Sequence, residues 1–250
     1  MRIRCCFLVF ILIVFIPFNV SEASTKERVE YEYMGQAIWD FCHMKGNYVA
    51  VTFDDGPDPV YTPQILDLLK KYRVKATFFV VGKKAKDFPQ VIQRINNEGH
   101  EIANHTYNHE YNAMITEEKL TKELKKTDEV VKAITSKSMT LYRPVAGIYN
   151  DTIMNTATKQ GYLVTMWSWH QDPKDWMNPG IYPIYHHVST AMKPGDVIVL
   201  HDSGGDRSQT VFALEEILKT MKSNDFKGVT VSELILLSQE IPTTIFDTKQ

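Results

Sequence analysis

The stretch VAVTFDDGPDP, residues 49–59, ends an apolar run on two adjacent carboxylates, Asp54 and Asp55. Like charges in a partly buried place ionise together only at a cost, and a bound metal ion would remove that cost. Taken alone, DDGP also describes a solvated turn after a strand. Further on, HTYNH sets His105 and His109 four residues apart, a spacing that puts both imidazoles on one face if the segment is a helical turn. Two surface-loop histidines are the plainer alternative. With one aspartate the pair makes a set that leaves positions open for water and substrate, as a catalytic metal requires. Adjacent strand residues point to opposite sides, so one aspartate is free to bind metal while the other acts as a base.

The remaining chemistry lies in three short motifs. VLHD, 199–202, supplies His201, which reads either as a satisfied core histidine or as a general acid able to exchange a proton near neutral pH. DPKDW, 172–176, offers Asp172 and Asp175 to orient that histidine and Trp176 as a groove wall, or else is a common turn. Arg143, in RPVAG, is placed to pair with a carboxylate base, although an arginine at a strand end more often makes a surface salt bridge.

For these residues to meet, the elements that position them must end at one place. YVAVTF precedes TPQILDLLKKYR, where Ile65, Leu68, Leu69 and Tyr72 fall at helical spacing behind a Thr62 cap with Pro63 at the first helical position. The alternation repeats through ATFFVVG, EIANHT, TLYRPVAG, YLVTMWSW and DVIVLHD, each strand-like run but YLVTMWSW followed by a helical one, and ends on VTVSEL as a last strand. Nearly continuous apolar strands indicate a parallel sheet covered on both faces. The expectation is an α/β fold, a distorted (β/α) barrel of about seven parallel strands in a single catalytic domain over 48–240. Asp54, Asp55, His105, Arg143, Trp169, Asp172, His201 and Asp202 all fall at C-terminal strand ends, where the functional loops of such a barrel gather.

The chain has 250 residues, a net charge of −2, 44% hydrophobic and 23% charged residues. No basic excess attracts nucleic acid or an anionic membrane. Residues 1–23 have a basic start, an apolar stretch and Ser21-Glu22-Ala23, which fits a small-residue cleavage site. They read as a secretory signal peptide, with an uncleaved membrane anchor as the alternative. Cleavage removes Cys5 and Cys6 and leaves Cys42, so an exported domain has no internal disulfide. Residues 24–47 read as an N-terminal extension packed on the domain through Tyr31, Tyr33, Trp39 and Phe41, and 241–250 as a tail.

In this order, TFDDGP, HTYNH, RPVAG, DPKDW and VLHD resemble the five successive motifs of the polysaccharide deacetylases, the family 4 carbohydrate esterases with the NodB homology domain, over residues 48–236. The resemblance implies Asp54 as catalytic base, His201 as general acid, and Asp55, His105 and His109 as ligands of a divalent metal, zinc by preference, with cobalt or another divalent ion compatible. It implies that Arg143 positions Asp54, that Asp175 positions His201, and that Pro144, Ala146, Trp176 and Leu200 border the substrate, with the N–H of Ala146 as oxyanion donor. Where the family has a bulky aromatic before the glycine of its third motif, this chain has Val145 and Ala146.

The implied activity is N-deacetylation of GlcNAc-type residues in a polysaccharide, peptidoglycan above chitin oligomers because an exported enzyme without disulfides suits a bacterial wall. No obligate protein partner is evident and a monomer is expected. A non-haem iron oxygenase also uses two histidines and a carboxylate, but usually on an all-β scaffold. A weakly active wall-binding relative is the third reading, prompted by Val145 and Ala146.

Overall fold

A computed structural model of the chain describes residues 26–238, so the signal segment expected over 1–23 and the tail over 241–250 lie outside the described residues. One sheet contains β1 (Ala37–Ile38), β2 (Tyr48–Asp54), β3 (Thr77–Val80), β4 (Glu101–Asn104), β5 (Leu141–Tyr142), β6 (Leu163–Thr165), β7 (Val197–His201) and β8 (Lys227–Val229). The helix α1 (Arg28–Tyr33) precedes β1, α2 (Tyr61–Tyr72) follows β2, and α3 (Gly82–Asp87) and α4 (Pro89–Asn97) follow β3. Then α5 (Glu117–Thr135), α6 (Asp151–Lys159), α7 (Ile181–Ala191), α8 (Ser208–Ser223) and α9 (Val231–Ser238) follow β4 to β8 in turn.

Every pairing is parallel, in the order β1-β6-β5-β4-β3-β2-β7, and β8 pairs with the first residues of β2. The sheet is a distorted (β/α) barrel whose open side is bridged where Ser168, beyond β6, exchanges hydrogen bonds with Val197 at the start of β7.

Period-two alternation sorts the side chains. Val49, Val51, Phe53, Phe78, Val80, Ile198 and Leu200 pack toward the helices. Ala50, Phe79, Ala103, Leu141, Leu163 and Val197 fill the barrel. Continuing the second parity, Thr52 and Asp54, Arg143, and Val199 and His201 face inward. Their C-terminal strand ends therefore deliver polar groups to one mouth of the barrel.

Three local expectations change. Thr62 does not cap α2: Asp58 Oδ1 accepts from the N–H groups of Val60 and Tyr61, and the buried Thr62 hydroxyl turns inward to Asp202. Pro63 falls at the third helical position, where its missing N–H is still one the helix cannot use. VTVSEL is not a strand. β8 stops at Val229, and Thr230 and Glu233 exchange backbone-to-side-chain bonds in a capping box that starts α9.

The N-terminal extension belongs to the sheet itself, because β1 pairs with β6 through Ala37–Val164 and Ile38–Thr165. Tyr31, Trp39 and Phe41 are buried as anchors, but Tyr33 points into solvent. Helix α7 was not legible in sequence, since it buries only Ile184 and Val188, a stripe too narrow to mark a period. Phe41→Ala should therefore lower unfolding free energy by about 3–5 kcal/mol in urea titration, whereas Tyr33→Ala should stay within about 0.5 kcal/mol. Equal effects would mean that the segment does not share the core.

Candidate active site

Asp54 is the last residue of β2 and its carboxylate lies inside the barrel mouth. Arg143, fully buried, donates from Nη1 to Asp54 Oδ1 at 2.7 Å and to Thr52 Oγ1 at 2.8 Å. Its Nε and Nη2 donate to the carbonyls of Thr165 and Met166, and the guanidinium lies 3.9 Å from the Phe79 ring centre. Every face of this buried cation thus has a partner, as burial of a charge demands.

Asp55 breaks the strand alternation with a left-handed backbone, φ 75°. That turn brings its carboxylate into the same cavity as Asp54, toward the two histidines. Lys84 Nζ donates to the Asp55 carbonyl and to Ser203 Oγ, tying the turn to the segment after β7. At Gly56 a Cβ would stand 2.3 Å from Asp202 Oδ2, so only glycine fits against that buried carboxyl. Burial pushes the Asp202 acid up to about 7, against the hydrogen bond from Thr62.

HTYNH is not a helical turn. β4 ends at Asn104, the His105 N–H extends the ladder to the Val80 carbonyl, and Thr106 and His109 take left-handed backbones at φ 67° and 56°. The chain doubles back, and the Nε2 atoms of His105 and His109 come 3.4 and 2.8 Å from Asp55 Oδ1. His105 Nδ1 lies 2.7 Å from the Arg143 carbonyl, which only accepts, so Nδ1 carries a proton, and Nε2 faces Asp55. One ligand atom from each of Asp55, His105 and His109 falls within 4.8 Å of the others, a carboxylate and two imidazoles suited to a divalent cation. Burial opposes ionisation of Asp55, but hydrogen bonds and charge from the two histidines hold its carboxyl well below the usual carboxylate range.

On the other side of the mouth, His201 Nδ1 pairs with Asp175 Oδ1 at 2.7 Å, while Asp175 Oδ2 accepts from the His201 N–H and the Thr210 hydroxyl. Burial alone would lower the imidazole, but the Asp175 hydrogen bond and charge, with Asp54 and Asp55 behind them, raise it to about 9.

Asp54, Asp55, His105, His109 and His201 share a cavity of about 490 Å³, which Trp176 and Ala146 also line. Ala146 has a left-handed backbone at φ 54°. Two expected substrate contacts are elsewhere. Leu200 is fully buried toward the helices, and Val199 lines the cavity in its place, because only residues two apart from His201 face inward. Pro144 is buried beside a separate, smaller cavity with Ile115 and Ile148. Asp172 lines the site but Trp169 does not. Tyr111, Trp167, Gly204 and Arg207 line it without having been singled out in sequence. Parity counted from His201 would have found Val199; nothing in the sequence marks Tyr111.

The chain is similar in sequence and in fold to known proteins. The sequence profile described as polysaccharide deacetylase matches residues 43–165. The chain is 44% identical over 208 residues to a peptidoglycan-N-acetylglucosamine deacetylase of Bacillus cereus, spanning 83% of this chain and 97% of that one. It is 36% identical over 189 residues to a chitooligosaccharide deacetylase of Sinorhizobium fredii, spanning 71% and 87%. The crystal structure of a peptidoglycan N-acetylglucosamine deacetylase in complex with 4-naphthalen-1-yl-N-oxidanyl-benzamide is similar at a TM-score of 0.78 and 33% identity, over 82% of this chain and 95% of that one.

The His201–Asp175 pair makes a direct prediction. By NMR titration His201 should lose its proton near pH 9, and Asp175→Asn should lower that midpoint by more than about one unit, since the burial that disfavours the cation remains while its counter-charge is gone. An unchanged midpoint would show that Asp175 does not set the protonation of His201.

Proposed function

This chain belongs to the polysaccharide deacetylase family, and from that premise we propose that it is an exported, metal-dependent enzyme that removes N-acetyl groups from GlcNAc residues of peptidoglycan. The observation behind the reading is the meeting, in one cavity, of Asp54 held by Arg143, of Asp55 with two histidines, and of His201 held by Asp175.

Asp55, His105 and His109 would hold a divalent cation, zinc by preference. When bound, it would acidify a water molecule and polarise the acetyl carbonyl. Asp54, fixed by Arg143, takes the proton of the attacking water. The N–H of Ala146 donates to the carbonyl oxygen as that atom gains charge. His201 starts protonated, because Asp175 stabilises its cation, and passes its proton to the departing amine. Trp176 and Val199 supply apolar wall for the acetyl methyl. Since the acid must be protonated to act, its contribution is complete well below its pKa and is lost as pH rises through about 9.

Peptidoglycan is favoured over chitin oligomers by the higher identity to the peptidoglycan deacetylase of Bacillus cereus and by the signal-like N-terminus. A non-catalytic wall-binding role fits less well, because all five groups for metal binding and proton transfer are assembled rather than scattered.

Acetate release from acetylated peptidoglycan, measured beside release from chitooligosaccharides, tests the activity. Chelator should abolish it and zinc restore it. His105→Ala should lose metal with the fold intact. Asp54→Asn should keep its metal and lose about two orders of magnitude in rate, within the range for general-base assistance. Release that ignores the chelator would overturn metal dependence, and metal loss in Asp54→Asn would exchange the roles of the two aspartates.

A further inference from the structure

The two histidines facing Asp55 are secured in different ways. His105 continues the β4 ladder and its Nδ1 is bonded to the Arg143 carbonyl. His109 sits on a loop, a third exposed, and among the described residues no hydrogen bond reaches its Nδ1. Its position therefore depends on the backbone of residues 106–109, which is strained: Thr106, β-branched, and His109 both have φ in the left-handed region. Such residues cost of order 1–3 kcal/mol each and persist only where their surroundings over-determine them.

The carbonyls of Thr106 and Tyr107 accept from the N–H groups of Gly82 and Lys83 at the start of α3, and the N–H groups of the loop are held from α5. The buried carboxylate of Glu123 accepts from the N–H of Tyr107 at 3.0 Å, the N–H of Asn108 at 2.7 Å and the Asn108 Nδ2 at 2.6 Å. Among the described residues Glu123 forms no ion pair; these three donors bind its carboxylate directly, and the charge of Lys119, one turn earlier on α5, acts on it from farther away. The helix under it is itself fixed. Leu120 and Leu124 are fully buried, and Lys126 places its ammonium 3.6 Å from the Tyr107 ring centre. Asn104 completes the frame, accepting from the Thr106 N–H and donating to the Leu124 carbonyl. The loop that presents His109 is thus bound at both of its middle residues to a single carboxylate.

We propose that Glu123 is a positioning residue that sets divalent-cation affinity through His109. The inference rests on the reading of Asp55, His105 and His109 as a metal site. Methionine at 123 keeps the length of the side chain but offers the three loop donors no oxygen, so all three bonds are lost and the N–H groups of Tyr107 and Asn108 are left without their acceptor.

The test is zinc affinity, measured by competition with a chromogenic chelator on the intact chain. Glu123→Met should weaken zinc binding by roughly ten- to a hundredfold, the range for removing a partner that orients a ligand. Asn108→Ala, which removes only the side-chain bond, should weaken it less, and it serves if the first variant does not fold. In a His109→Ala background, Glu123→Met should change the dissociation constant by less than about twofold, because coupled residues are not additive. Unchanged affinity in the single variants, or a full additional loss in the His109→Ala background, would overturn the proposal. Wild-type affinity in His105→Ala would instead overturn the metal site itself, and this inference with it.

Discussion

The site depends on one buried guanidinium. Arg143 stands inside the barrel with no access to water, and its donors join Asp54 and Thr52 of β2 to the carbonyls that end and follow β6, strands that are not neighbours in the sheet. Its own carbonyl holds His105. A single residue therefore fixes the orientation of the proposed base by its side chain and the tautomer of a proposed ligand by its backbone. Leaving either charge of a buried pair without the other is costly, typically about 3–5 kcal/mol, which makes this pair a constraint on the interior as well as on the chemistry.

Around that tie the acidic groups are kept distinct by their surroundings. Asp54 faces a guanidinium, Asp55 faces two imidazoles, Asp175 faces His201, and Asp202 is buried against Gly56 with a single hydroxyl donor. The consequences run in opposite directions: the acid of Asp55 is pushed down and that of Asp202 up. Four carboxylates around one barrel mouth thus stand in four different environments, because partner and burial differ at each.

Backbone strain gathers at the same mouth. Asp55, Thr106, His109 and Ala146 have left-handed φ, and Lys174 and Asn178 bracket the Asp175–Met177 turn in the same way. Each turn bends the chain as it leaves an inward-facing strand end, so that consecutive residues face one cavity instead of alternating across a sheet. The rigid parallel strands set where each loop starts; hydrogen bonds with neighbouring segments, such as the one donated by Lys84 and those accepted by Glu123, set how it turns.

The alternating parallel architecture is legible along the chain, because buried strands and amphipathic helices leave their periods in the order of apolar residues. So are the chemical groups and their order: Asp54, Asp55, His105, His109, Arg143, Asp175 and His201. Adding strand parity to that reading distinguishes Val199 from Leu200, a difference of one residue and one face. How groups far apart in sequence meet is settled by packing and leaves no pattern along the chain. The Asp54–Arg143 pair, the Glu123 carboxylate under the His109 loop and the Thr62 hydroxyl on Asp202 join residues whose separations follow no local period. Left-handed turns at non-glycine residues are likewise invisible to propensity, since tertiary hydrogen bonds rather than the residues' own preferences stabilise them. β1 and α7 escaped for the same reason: a two-residue strand and a helix with a two-residue buried stripe exist only because the rest of the fold gives them somewhere to pack.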